Sequence, residues 1–161
     1  MRLDRILAVG LLAFSVAVPA YADTALKVTT LSVGKHPIRV EVVQKDEDRT
    51  KGLMFREKLG KNDGMLFIFD DPGYHSMWMM NTLIPLSVAF LDRDGLILNV
   101  EDMEPKTTDS HMAAGPAAYA LETNKGWFAE RKLKPGDKVT GLPSLSPALS
   151  QGRGGVSQPK K

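Results

Sequence analysis

A single, mainly β domain, a sandwich or barrel-like fold with one or two short helices, is the architecture this sequence predicts. Three observations predict it. Between residues 24 and 142 the apolar residues fall in short β-type runs bounded by Gly, Pro, Asn and Asp. No stretch keeps helical periodicity for long. The length fits one core, and the chain has no cysteine to staple it, so burial alone must hold it together.

The chain opens with the charged Met1-Arg2-Leu3-Asp4-Arg5, then an apolar run from Ile6 to Val18, then Pro19 and Ala20-Tyr21-Ala22. This is the pattern of a secretory signal with cleavage after Ala22, and it predicts a mature chain that starts at Asp23 in the periplasm or outside the cell. The apolar run is shorter than the roughly 20 residues that span a bilayer, so no transmembrane segment is expected once the signal is removed. No cysteine follows the run to carry a lipid. Residues 143–161, rich in Ser, Gly, Pro and Gln, are expected to form a disordered tail because they offer too little apolar surface to offset chain entropy. Residues 23–142 remain as the β domain.

The elements are read in order. Leu26, Val28 and Leu31-Val33 mark a first strand, and Ile38, Val40 and Val42 alternate with polar neighbours in a second. Asp46 is placed to cap a short helix running to about Leu53, with Gly52 at its exit. Met65 to Phe69 is uninterrupted apolar sequence, as a strand covered on both faces requires, and Asp70-Asp71-Pro72-Gly73 reads as the turn after it. His75 to Met80 is expected to be the next strand. Val88–Leu91 and Leu96–Val100 flank the hairpin signal Asp92-Arg93-Asp94-Gly95. Ala118–Glu122 and Lys138–Thr140 complete the set.

Charge narrows the partners. The chain has 21 basic and 19 acidic residues, and 19 against 18 remain beyond the expected signal. Such balance lacks the concentrated positive field that phosphate backbones require, so no nucleic-acid partner is expected. A small molecule or an envelope protein is the expected partner class.

Five blocks then carry a resemblance. They are Gly52-Leu53-Met54-Phe55-Arg56, Gly64-Met65-Leu66-Phe67-Ile68-Phe69, Trp78-Met79-Met80-Asn81-Thr82-Leu83-Ile84-Pro85-Leu86, Ala89-Phe90-Leu91-Asp92 and Tyr119-Ala120-Leu121-Glu122. In this order, over about residues 26–142, the chain resembles the family known as domain of unknown function 192. The resemblance implies a compact β-sandwich, often exported, and implies no established activity or cofactor. The family usually carries Asp where this chain has Ser87, which weakens any mechanism that needs a carboxylate at that position.

Candidate site residues follow from chemistry and place. Asn81 and Thr82 emerge beside an apolar strand, suited either to locking a turn or to contacting a ligand. Glu122 ends a strand within one of the five blocks and is the preferred functional acid. Arg56 is suited to an internal carboxylate such as Glu122, or to an anion. With Trp78 these residues define an expected ligand cleft: Arg56, Trp78, Asn81, Thr82 and Glu122. Two alternatives stand beside a binding or accessory module. A hydrolase acting on an envelope component would pair Glu122 with His75 or His111. A Cu(I) protein would use His75, Met77 and Met79, expected on one strand face, with Met103, His111 and Met112 as further donors. No nucleophile elbow, zinc motif or phosphate loop is present.

Overall fold

The computed structural model describes residues 25–145. In chain order the elements are β1 (Lys27–Val33), β2 (His36–Val43), α1 (Asp46–Lys51), β3 (Asp63–Gly73), β4 (Ser76–Met77), β5 (Leu86–Leu91), β6 (Ile97–Met103), β7 (His111–Met112), β8 (Ala117–Asn124), α2 (Trp127–Glu130) and β9 (Val139–Thr140). Seven strands form one curled sheet in the order β6-β5-β8-β3-β2-β1-β9, and β4 pairs with β7 in a separate two-stranded flap. The domain is mainly β and barrel-like, as expected. The expected signal peptide and most of the expected tail lie outside the described residues.

The sheet is mixed because β2 and β3 run parallel, which requires a crossover, and α1 with the loop behind it supplies that crossover. The other pairs in the sheet are antiparallel. Its two edges meet at one end, where Leu96 bridges Lys138. There Ile97 N donates to Asp137 O at 2.9 Å and Val139 N to Gly95 O at 2.8 Å. The curl thus leaves no free edge at that end, which removes a template for pairing with another chain.

Alternation along the central strands fills two cores, one on each face. Leu66, Ile68, Ala89, Leu91, Ala118 and Leu121 point into a core to which all seven strands contribute, and Trp127 and Phe128 of α2 plug it. Met65, Phe67, Phe69, Val88, Phe90 and Ala120 point the other way, where Leu53, Met79, Met103 and Ala113 cover them. Stretches buried on both faces favour apolar residues throughout, which is why Met65–Phe69 of β3 and, apart from Ser87, β5 show no polar alternation in sequence.

Several expectations are corrected. Residues 75–80 do not form one strand: β4 ends at Met77, Met79 and Thr82 are tied by a turn (Thr82 N to Met79 O, 3.0 Å), and Asn81 takes φ 58°. Asparagine tolerates that left-handed conformation better than most residues. Side-chain bonds from Asn81 and Thr82 to the backbone were an expected lock for this turn, but backbone bonds do the locking, including Lys106 N to Thr82 O at 3.1 Å. Asp46 is the first helical residue of α1 rather than its cap, a position held by Lys45, and the acidic first turn Asp46-Glu47-Asp48 complements the helix dipole instead. The helix does leave through Gly52. Asp70 to Gly73 belongs to β3, with a register shift against β8 between Ile68 and Gly73 in place of the expected turn.

Gly95 carries the seam between the sheet edges. Its φ is 82°, and an added Cβ would lie 2.5 Å from the carbonyl oxygen of Val139. Gly136 has a similar φ of 91° but open space around it. In chemical denaturation Gly95→Ala is expected to cost roughly 2 kcal/mol or more, because strain and backbone collision act together, whereas Gly136→Ala costs about 1 kcal/mol from strain alone. Equal losses would show that the seam adds nothing to stability.

Candidate functional site

On the second core face, a cavity of about 420 Å³ opens between the end of α1, the exposed end of β3 and the β4 flap. Each wall follows from a local choice in the sequence. Phe67 and Phe69 reach it because alternate residues of β3 share a face. Leu53 and Met54 reach it because Gly52 (φ 47°) turns the chain out of α1 beneath Phe67. Met77 and Trp78 come from the flap, which is fixed from behind: Asn99 on β6 donates to Met112 O at 2.9 Å and accepts from Ala114 N at 2.9 Å, and His111 meets Glu101 at 3.0 Å.

Glu122 closes the bottom. It stands on β8 opposite Met65 of β3 and Val88 of β5, on the apolar face, and is only 4% exposed. Its carboxyl forms no hydrogen bond to any described residue, and Thr82, 5% exposed, likewise leaves its hydroxyl unpaired. No described side-chain N or O atom is both sealed from solvent and unpaired, so these oxygens open into the cavity that both residues line. With apolar neighbours and no cation beside it, burial pushes the Glu122 pKa up from 4.5 to about 8. A carboxylic acid neutral near pH 7 can donate a hydrogen bond, accept one, or hand over a proton.

The charges at the mouth are largely spoken for. Arg49 donates to the carbonyl oxygen of Ile68 at 2.8 Å and to Asp70 at 2.7 Å, and it also pairs with Asp46. The hydrogen bond from Arg49 holds Asp70 below its ordinary carboxylate range. His75 stacks on Phe69 with ring centroids 3.7 Å apart, and its Nε2 lies 2.7 Å from the carbonyl oxygen of Asp71.

Of the expected cleft, Trp78, Thr82 and Glu122 come together here. Arg56 does not: it makes a two-pronged pair with Glu41, 2.6 Å at each prong, on the crossover side of the domain, and that bond holds the Glu41 pKa down. Asn81 is exposed outside the lining, its amide 4.0 Å from the Met54 sulfur. His75 and Met77 line the cavity, while Met79 is wholly buried in the adjoining core and is not part of the lining. Met103 is also core, Met112 is exposed, and the His111 ring is engaged by Glu101. No cluster of three or more His, Asp or Glu residues suited to a metal occurs among the described residues.

Ser87 has a structural place. Its hydroxyl accepts from Gly126 N at 2.8 Å and donates to Asp102, so it ties β5 to the entry of α2. It lies outside the cavity lining, and Asp102 opposite it supplies a carboxylate at this position. Sequence reasoning did not single out Phe67, Phe69 and Arg49. The alternation of β3 was a usable signal for the two aromatics, whereas Arg49 reaches the mouth only through the crossover geometry.

A curled β sheet with a cavity of mixed lining closed by one buried acid describes the class of domain. The chain belongs to the family of domain of unknown function 192, described as an uncharacterized ACR, whose pattern matches residues 28–141. It is similar to a crystal structure of a protein of unknown function from Novosphingobium aromaticivorans, with 35% identity, a TM-score of 0.69, and coverage of 74% of this chain and 89% of that one. It is also similar to a protein from Sinorhizobium meliloti described as a putative transcription regulator, with 32% identity, a TM-score of 0.65, and coverage of 68% and 88% respectively. No match was found among curated proteins.

The position of Glu122 predicts a pH signature. Its pKa is about 8 in the folded chain against 4.5 ordinarily, so between these values the unfolded chain has lost a proton that the folded one keeps. Stability contributed by this group is therefore full below about pH 4.5, falls as pH rises, and levels off above about pH 8, at a slope approaching 1.4 kcal/mol per unit. Glu122→Gln is expected to flatten this decline and to raise the unfolding midpoint at pH 8 relative to the parent. Parallel curves for the two proteins from pH 5 to 8 would show that Glu122 is ionised in the fold.

Proposed function

We propose that this domain is an exported small-ligand-binding module of the cell envelope, and that the ligand enters the cavity between α1, β3 and the β4 flap. One observation carries the binding reading: a buried carboxyl without a partner among the described residues opens into a cavity of ligand size, with aromatic and methionine walls and charged groups at its mouth. An unpaired buried polar group costs about 1 to 3 kcal/mol, and a fold that needed only packing would place an apolar residue there. Export is supported by the charged start, the apolar run and the Ala20-Tyr21-Ala22 site at the head of the sequence. No described helix is long and apolar enough to cross a membrane.

The test is native mass spectrometry of the protein purified gently from the periplasm of its own host, without chelators. The expected species begins at Asp23 and carries an organic adduct, which Met77→Trp, filling the cavity from the flap, abolishes without unfolding the domain. A copper mass excess lost on replacing His75 and Met77 would instead make the site a metal centre. A chain retaining Met1 and found in the cytoplasm would sink the envelope role.

A further inference from the structure

An acid buried at the inner end of a cavity with aromatic walls limits what can lie against it. We infer that the cavity takes an organic cation, an amine or ammonium whose charged head meets Glu122 and Thr82 while its apolar body lies among Phe67, Phe69 and Trp78. This rests on the cavity being a ligand site at all.

The distribution of charge within the cavity carries the argument. Glu122 is the acid at its inner end, and the Thr82 hydroxyl, from another wall of the same cavity, is a second oxygen without a partner among the described residues. Together they offer acceptors to the N–H groups of an ammonium. The groups around them are Arg49 and Lys51 from α1, Asp70 and Asp71 from β3, and His75 before β4. Arg49 is neutralised by Asp46 and Asp70, and Lys51 is exposed on the last turn of α1. The formal charges at the mouth cancel, so ionised Glu122 would leave the cavity with one net negative charge deep inside.

The walls favour the same ligand. Phe67 and Trp78 present ring systems, with Phe69 beside them capped on one face by His75, and aromatic faces attract a desolvated cation. Met54 and Met77 add polarisable sulfur. An anionic ligand would have to seek Lys51 at the rim and leave Glu122 without a role. Proton balance is simple: the ligand keeps its ammonium protons, Glu122 releases its own to solvent, and the new ion pair forms within the cavity.

Isothermal titration of the mature protein with benzylamine, benzyl alcohol and benzoate, one apolar ring with three different heads, tests the inference. Benzylamine is expected to bind at least about tenfold more tightly than the other two. Its affinity should rise between about pH 6 and about pH 8, by up to about tenfold per unit, as Glu122 gives up its proton more readily. Glu122→Gln should remove that preference and its pH dependence, and Thr82→Val should weaken benzylamine alone. If benzyl alcohol or benzoate binds as well as the amine, and Met77→Trp blocks it, the cavity is a ligand site but the cation inference is wrong. If none of the three binds, the cavity reading falls and the inference with it.

Discussion

Burial of the central strands on both faces is the constraint from which the rest of this structure follows. Gly64–Phe69 of β3, all of β5 and β8 up to Thr123 have no solvent side, so every residue along these stretches must suit one core or the other. Apolar residues meet that demand without further provision. Ser87 meets it by joining Gly126 and Asp102. Glu122 meets it differently, because it finds no partner among the described residues and opens instead on a cavity. An unpartnered acid in such a sheet is costly in the fold and useful only through what it faces.

The cavity exists because the second core is covered unevenly. Around Leu86, Val88 and Phe90 that core is closed, with Met79 and Met103 wholly buried beside them. Over Phe67 and Phe69 it consists of the end of a six-residue helix and a flap of two-residue strands, elements too short to pack as a full layer. The same shortness makes these parts the natural place for local opening, since few backbone bonds hold them. Asn99 and Glu101 on β6 counter this by binding the back of the flap, at Met112 and His111.

How far the sequence was legible depends on the range of the interaction concerned. The apolar positions of β1, the β2 alternation, the apolar β3 run and the Asp92–Gly95 turn are short-range signals, and each appears in the fold. The stretch from His75 to Met80 misled because β-type composition there serves a covering loop, where Met79 packs as core without strand geometry. Trp78, Thr82 and Glu122 were singled out and do share a cavity, since all three stand at the ends of apolar segments that converge on one face. Arg56 was grouped with them by its place at the end of a block, but its partner Glu41 lies on β2, across the parallel crossover, a relation no local pattern encodes. Arg49 escaped notice for the same reason.

The pairing of β9 with β1 sets Ser32 opposite Thr140, so nearly the first and last parts of the described chain are neighbours in the sheet. Contacts of such sequence separation must await most of the chain and are slow to form. During synthesis β1 has its outer edge unmatched until the final strand is made, and the seam at Gly95 stays open for equally long. β9, the last strand among the described residues, is thus a clasp fastened late. A chain shortened just before Val139 would retain most of its core residues while exposing two sheet edges at once, turning a shielded fold into a template for self-association.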